Sequence, residues 1–189
     1  MATALAEPTQ IKAALRPIDT ERLTALTDKN KADPASGKKT LKARTVAEGQ
    51  FRNLTYVRDL APVVIDEPPA LLGQDTAPNP SEAVLCALGA CLAVGYMANS
   101  TFHGITLDTI EIDMEADIDI SSVWGLGDIP AEKHVGFSAV RVKAHIAGSF
   151  ADGTPASREK LDEIVQNANA WSPVAGTLRN PVPVTAELI

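Results

Sequence analysis

Cysteine is scarce in this chain, with two among 189 residues. Two thiols cannot build a disulfide framework, so a hydrophobic core must hold the fold together. Positive charge is also in short supply: 17 Lys and Arg stand against 24 Asp and Glu, a formal net charge of −7. That balance excludes the basic patch a nucleic-acid partner requires. The three histidines, His103, His134 and His145, show no metal-ligand spacing with one another or with the cysteines, so no metal is expected. Phosphate loops, dinucleotide fingerprints and internal repeats are missing too, and no cofactor is expected. The opening residues, MATALAEPTQIKAALRP, lack the basic and then apolar pattern of a secretory signal. The expectation is a cytoplasmic protein with one domain over residues 41–189, preceded by a helical arm and linker over residues 1–40.

What the chain does have is a long uncharged stretch, NPSEAVLCALGACLAVGYMANSTFHG, from Asn79 to Gly104, which holds both cysteines. Asn79 suits an N-cap, Pro80 the first helical position, and Glu82 completes a capping box. His103 and Gly104 mark the other end. The run is long enough to span a bilayer. Its Ala, Gly, Cys, Asn and Ser insert weakly, however, so it reads as a core helix with no membrane partner. A helix apolar on every face predicts burial all round, with Cys91 in a dry environment.

Around this helix the pattern changes. Thr9 to Lys31 carries apolar residues, Ile11 to Leu26, at loose helical spacing interrupted by Pro17, and Lys29–Lys39 reads as a linker. Strands are predicted at Leu41–Glu48, Gln50–Leu60 and Pro62–Asp66, an antiparallel meander. After the helix, Ile110 to Ile120 alternates with Glu111, Asp113, Glu115, Asp117 and Asp119, and Val140 to Ile146 alternates with Arg141, Lys143 and His145. The two runs predict paired strands whose acidic and basic stripes attract across the ladder. A second helix is expected over Pro155 to Ala170, capped by Thr154, and an irregular edge strand over Thr177–Leu188. The order makes an α+β domain.

Three stretches together resemble the OsmC/Ohr family of thiol-dependent hydroperoxide-resistance proteins. They are Asn79–Cys91 with its Gly-Ala-Cys step, the turn Gly104-Ile105-Thr106-Leu107, and Trp171-Ser172-Pro173-Val174 followed by Leu178 to Val184. The resemblance implies two antiparallel meanders around two central helices in an intertwined homodimer. It implies that Cys91 is the peroxidatic thiol, assisted by an early-strand arginine and a glutamate at the helix start. The family's resolving cysteine falls where this chain has Ser172.

Physical chemistry constrains these roles. A peroxidatic cysteine attacks as thiolate and becomes a sulfenic acid. Burial alone favours the neutral thiol, so a cation or donor must stand nearby. The helix N-terminus cannot serve, because Cys91 lies about 16 Å along the axis from Pro80 and the dipole fades within a turn. Arg52 is the first candidate activator, with Arg44 and Arg58 behind it. Glu82, about 13 Å and half a rotation from Cys91, reaches the thiol only from a partner subunit; otherwise it completes the capping box. Cys86 and Cys91 have Cα atoms about 8 Å apart on a regular helix, too far for a disulfide, so Cys86 reads as a small buried hydrophobe. Without a resolving thiol, oxidised Cys91 needs an external thiol or lipoyl-type reductant.

Trp171 and Ser172 are candidates for substrate binding, and Trp124 for lining the same apolar pocket. The expectation is a homodimeric thiol peroxidase acting on organic hydroperoxides. Two alternatives stay open: a non-catalytic dimer that binds a small apolar ligand in the inter-subunit cleft, and a structural dimer in which Cys91 only packs.

Overall fold

The computed structural model describes residues 15–127, 129–130 and 132–189. The expected helical residues before Leu15, Ile11 among them, lie outside these. The arm's helix, α1, spans Thr20–Ala32. It starts where Asp19 accepts a hydrogen bond from the Arg22 backbone N–H at 3.0 Å. It runs four residues into the predicted linker, with Lys29 and Lys31 in the last turn, where cations suit the helix dipole. A short 3₁₀ turn follows at Pro34–Gly37.

The predicted meander is present: β1 (Arg44–Gly49), β2 (Arg52–Tyr56) and β3 (Val63–Ile65) form an antiparallel sheet in that order. Each strand is shorter than expected; β2 is cut at both ends, where Gln50 and Arg58 adopt positive φ and turn the chain. This sheet contacts chiefly itself within the protomer.

The long helix, α2, spans Pro80–Phe102 and carries the predicted capping box. Asn79 accepts from the Glu82 N–H at 2.8 Å, and Glu82 accepts from the Asn79 N–H at 2.8 Å. The expectation of burial on every face is overturned. Only Leu88, Leu92, Tyr96 and Ser100 are buried, one stripe at four-residue spacing. Val94 is 67% exposed and Cys86 is exposed as well, so Cys86 is no core residue of the protomer. A single chain supplies α1 and the elements at Ile105–Ile118, Arg158–Trp171 and Pro173–Arg179 as neighbours, and these cover one side of the helix.

Gly104, at φ +71°, reverses the chain into β4 (Ile105–Ile118), which pairs with β5 (Phe137–Phe150). The register sets Glu111 opposite His145, Asp113 opposite Lys143 and Glu115 opposite Arg141, as the alternation predicts. Arg141 also clasps Asp117 through both terminal nitrogens, at 2.5 and 2.8 Å. Ile120 falls beyond the strand.

Helix α3 (Arg158–Trp171) starts later than predicted, and its cap is Ser157. Thr154 and Pro155 belong instead to a tight return, in which Pro155 bridges Ser149 and the Ala156 N–H donates to the Gly148 carbonyl at 2.9 Å. The predicted last strand is also corrected. Pro173–Arg179 forms a short helix, α4, and the residues after it follow no regular ladder. Pro173 opens that helix in the position proline tolerates best, while Pro181 and Pro183 have no N–H to give a sheet. The core gathers Leu88, Leu92 and Tyr96 of α2, Ile105, Leu107 and Ile146 of the β4–β5 pair, and Ile164 and Ala168 of α3.

Leu92, 1% exposed at the centre of that core, sets a scale for the packing. Leu92→Ala is expected to lower the free energy of unfolding by about 2–5 kcal/mol in urea denaturation. Arg141→Ala, which removes only exposed ion pairs, is expected to move the midpoint far less.

Candidate active site

Helices α2 and α3 cross so closely that a side chain between them would not fit. A Cβ added at Gly95 would stand 2.8 Å from the Ala168 Cβ. One turn back along α2 is Cys91, and one turn on from Ala168 is Ser172. The antiparallel crossing therefore brings these two side chains together, and the Ser172 Oγ donates to the Cys91 Sγ at 3.1 Å. One turn the other way, Asn167 donates to Asn99, so the same ladder continues past the crossing.

Local sequence explains why Ser172 faces inward. A residue before proline is disfavoured in helical geometry, and Ser172 is extended at φ −67°, ψ 120°. It ends α3 and caps α4, its Oγ accepting from the Ala175 N–H at 3.1 Å. One hydroxyl thus uses a lone pair for the backbone and its proton for the sulfur. Ser172 is 5% exposed and Cys91 is partly buried. The sulfur therefore has a donor within a partly buried residue.

The other predicted residues make their bonds elsewhere in the protomer. Arg52 pairs with Glu48 at 2.8 Å and donates to the Thr76 hydroxyl at 2.5 Å. Arg44 and Arg58 are exposed. Glu82 is engaged in its own helix cap. Trp171 is 81% exposed, so within one chain it lines no pocket beside Cys91. Trp124 stacks on Phe51, with ring centroids 5.9 Å apart. Among the described residues no group of His, Cys, Asp and Glu is arranged to hold a metal ion.

Sequence reasoning missed a buried carboxylate that anchors the loop leading into α2. Asp66, 1% exposed, accepts from the Thr76 hydroxyl at 2.7 Å, the Thr76 N–H at 3.1 Å and the Glu67 N–H at 2.9 Å. The Thr76 hydroxyl, with help from the backbone N–H groups and against the effect of burial, holds the Asp66 carboxyl down to about 2. Through Thr76 the same network reaches Arg52. The next residue, Glu67, has a buried Oε2 without a partner among the described residues. Burial pushes its carboxyl up, with smaller contributions from Glu82 and Asp66. The ten-residue separation of Asp66 and Thr76 gives no periodic signal. Only the Asp-Glu-Pro-Pro run after a strand marks the place.

The OsmC-like protein family model matches residues 73–187, more than half of the chain. No curated protein matches it. Among solved structures, an OsmC-like protein of unknown function from Vibrio cholerae superposes with a TM-score of 0.61 at 8% identity, covering 74% of this chain and 94% of that one. An OsmC-like protein from Mycoplasma pneumoniae gives 0.59 at 15% identity over 75% and 89%. An organic hydroperoxide resistance protein OsmC from Legionella pneumophila gives 0.52 at 17% identity over 75% and 92%. At these identities the likeness is one of fold.

The Asp66 anchor has a pH signature. Its folded-state pKa lies below the unfolded value near 3.8, so its contribution is complete above about pH 4 and disappears as pH falls towards 2. Asp66→Asn is expected to destabilise the protein at pH 7 and to flatten the fall in stability between these pH values, as followed by acid unfolding.

Proposed function

From the premise that this chain belongs to the OsmC-like protein family, we propose that it is a cysteine-based peroxidase for organic hydroperoxides. The observation that carries this reading is the 3.1 Å hydrogen bond from Ser172 to the sulfur of Cys91, a residue that is only partly buried. A sulfur used only for packing needs no donor and no access.

The Cys91 thiolate attacks the distal oxygen of ROOH. An S–O bond forms, the O–O bond breaks, and the alkoxide takes up a proton and leaves as alcohol. Cys91 is then a sulfenic acid. An external dithiol attacks this sulfur and releases water, and its second thiol cleaves the mixed disulfide to restore Cys91. Ser172 holds the sulfur in place through its hydrogen bond but cannot resolve it. The Legionella pneumophila relative is an organic hydroperoxide resistance protein, which accords with this chemistry.

A homodimer belongs to the same reading. The exposed apolar face of α2, with Val94 and Phe102, and a meander that packs mainly on itself are surfaces a second copy would cover. In such an assembly Arg52 and Glu82 of one subunit approach Cys91 of the other, and Trp171 borders the substrate. A cytoplasmic location accords with a thiol that must stay reduced.

With cumene hydroperoxide and dihydrolipoamide, wild-type turnover is expected, Cys91→Ser is expected to abolish it, and Cys86→Ser to retain it. Ser172→Ala is expected to slow it about tenfold, the worth of one hydrogen bond to a charged atom. No turnover in wild type with any reductant, together with saturable binding of an apolar probe, would instead assign a ligand-binding role. A separate check restores a second thiol. Ser172→Cys is expected to form an intramolecular disulfide with Cys91 after one equivalent of hydroperoxide, seen as a loss of two free thiols.

A further inference from the structure

Helices α1, α2 and α4 each close on a cap residue whose N–H bonds back to a carbonyl of the last turn. Helix α3 has no such donor for the carbonyl of Asn169. A continuing helix would satisfy that carbonyl from the residue four places on. Here that residue is Pro173, which has no N–H. The proline that keeps Ser172 extended therefore also leaves the end of α3 open.

The missing donor comes from the far end of α4. Arg179 Nη2 donates to the Asn169 carbonyl at 2.9 Å and to the Ala170 carbonyl at 3.3 Å. Its Nη1 reaches the Asn169 side-chain oxygen at 3.4 Å. A cation is also what the negative end of a helix dipole favours. Among the described residues Arg179 pairs with no carboxylate, and all its side-chain bonds go to the end of α3. One guanidinium thus ties the last residue of α4 to the last turn of α3, and the chain between them forms a closed elbow.

Ser172 is the corner of that elbow. Its carbonyl accepts from the Gly176 N–H at 2.8 Å and its Oγ from the Ala175 N–H at 3.1 Å, which fixes the start of α4 to it. The same Oγ donates to the Cys91 sulfur. Where this hydroxyl points depends on how α3 and α4 meet, and Arg179 bridges the two. We infer that Arg179 is a positioning residue for the candidate site: by closing the open end of α3 from α4, it holds Ser172 in the geometry that meets Cys91. The inference rests on the Ser172–Cys91 pair of the proposed function and not on turnover.

The test compares Arg179→Gln, which removes the charge and shortens the donor's reach, with Asn180→Ala as control. Asn180 donates from its side chain to the Gly176 carbonyl at 2.8 Å, so its loss loosens the end of α4 and removes no bond to α3. The first readout is amide hydrogen exchange at Ala175 by NMR, because the Ser172 hydroxyl holds that N–H. Arg179→Gln is expected to speed this exchange about two- to fivefold, the worth of a cation at a helix end, and Asn180→Ala to leave it nearly unchanged. The second readout is the disulfide equilibrium between Cys91 and a thiol introduced by Ser172→Cys, poised against reduced and oxidised glutathione. Arg179→Gln is expected to lower that equilibrium constant by a similar factor, and Asn180→Ala to leave it as it was. Unaltered values in Arg179→Gln, or equal changes in both variants, would overturn the assignment. Neither readout needs peroxidase activity, so a protein that fails to turn over hydroperoxide would remove the proposed function and leave this inference standing.

Discussion

The close approach of α2 and α3 at Gly95 and Ala168 governs the arrangement of everything chemical in this protein. Two helices separated by full side chains would hold Cys91 and Ser172 apart. With glycine facing alanine, the axes come near enough for a hydroxyl on one helix end to reach a sulfur at the middle of the other. The crossing also buries the stripe of Leu88, Leu92 and Tyr96, so the contact that assembles the site also builds the core. Packing at this density leaves little freedom for either partner to move. The hydrogen bond is thereby preorganised by the core.

The other face of α2 is in a different condition. Apolar residues such as Val94 and Phe102 stand open, and the β1–β3 sheet has its main contacts within itself. A helix of such composition is stable in water only when its second side is covered. In this chain Arg52 pairs with Glu48, Glu82 is engaged in its helix cap and Trp171 is exposed, all away from Cys91. Their residue types suit the chemistry, but their positions within one protomer do not deliver them to the sulfur.

Much of the fold was legible because it rests on short-range rules. The capping box at Asn79 and Glu82, the meander over residues 44–65, and the acidic and basic stripes of β4 and β5 follow from spacing alone. The errors arose where one rule competed with another. Thr154 looked like a cap, yet the return through Pro155 delayed α3 to Ser157. The Pro-Val alternation near the end looked like a strand, yet Pro173 opened a helix and no partner strand met the residues beyond it. All-round burial of α2 was inferred from composition, which reports that apolar area must be covered but not by which chain. The Asp66–Thr76 anchor left no periodic trace, because loops are joined by single side-chain contacts rather than by repeats.

By itself the sequence determined which thiol is the candidate nucleophile, the limits of its helix and the presence of Ser172 where the family resemblance places a second thiol, since each of these is set by residue type and neighbours along the chain. The tertiary structure alone decided that Ser172 donates to Cys91. It also decided that Arg52 turns to Glu48 and Thr76. The physical reason is that hydrogen bonds between distant residues depend on ångström-scale distances between elements. Those distances are set by how side chains pack where helices and strands cross, a property that no local pattern encodes.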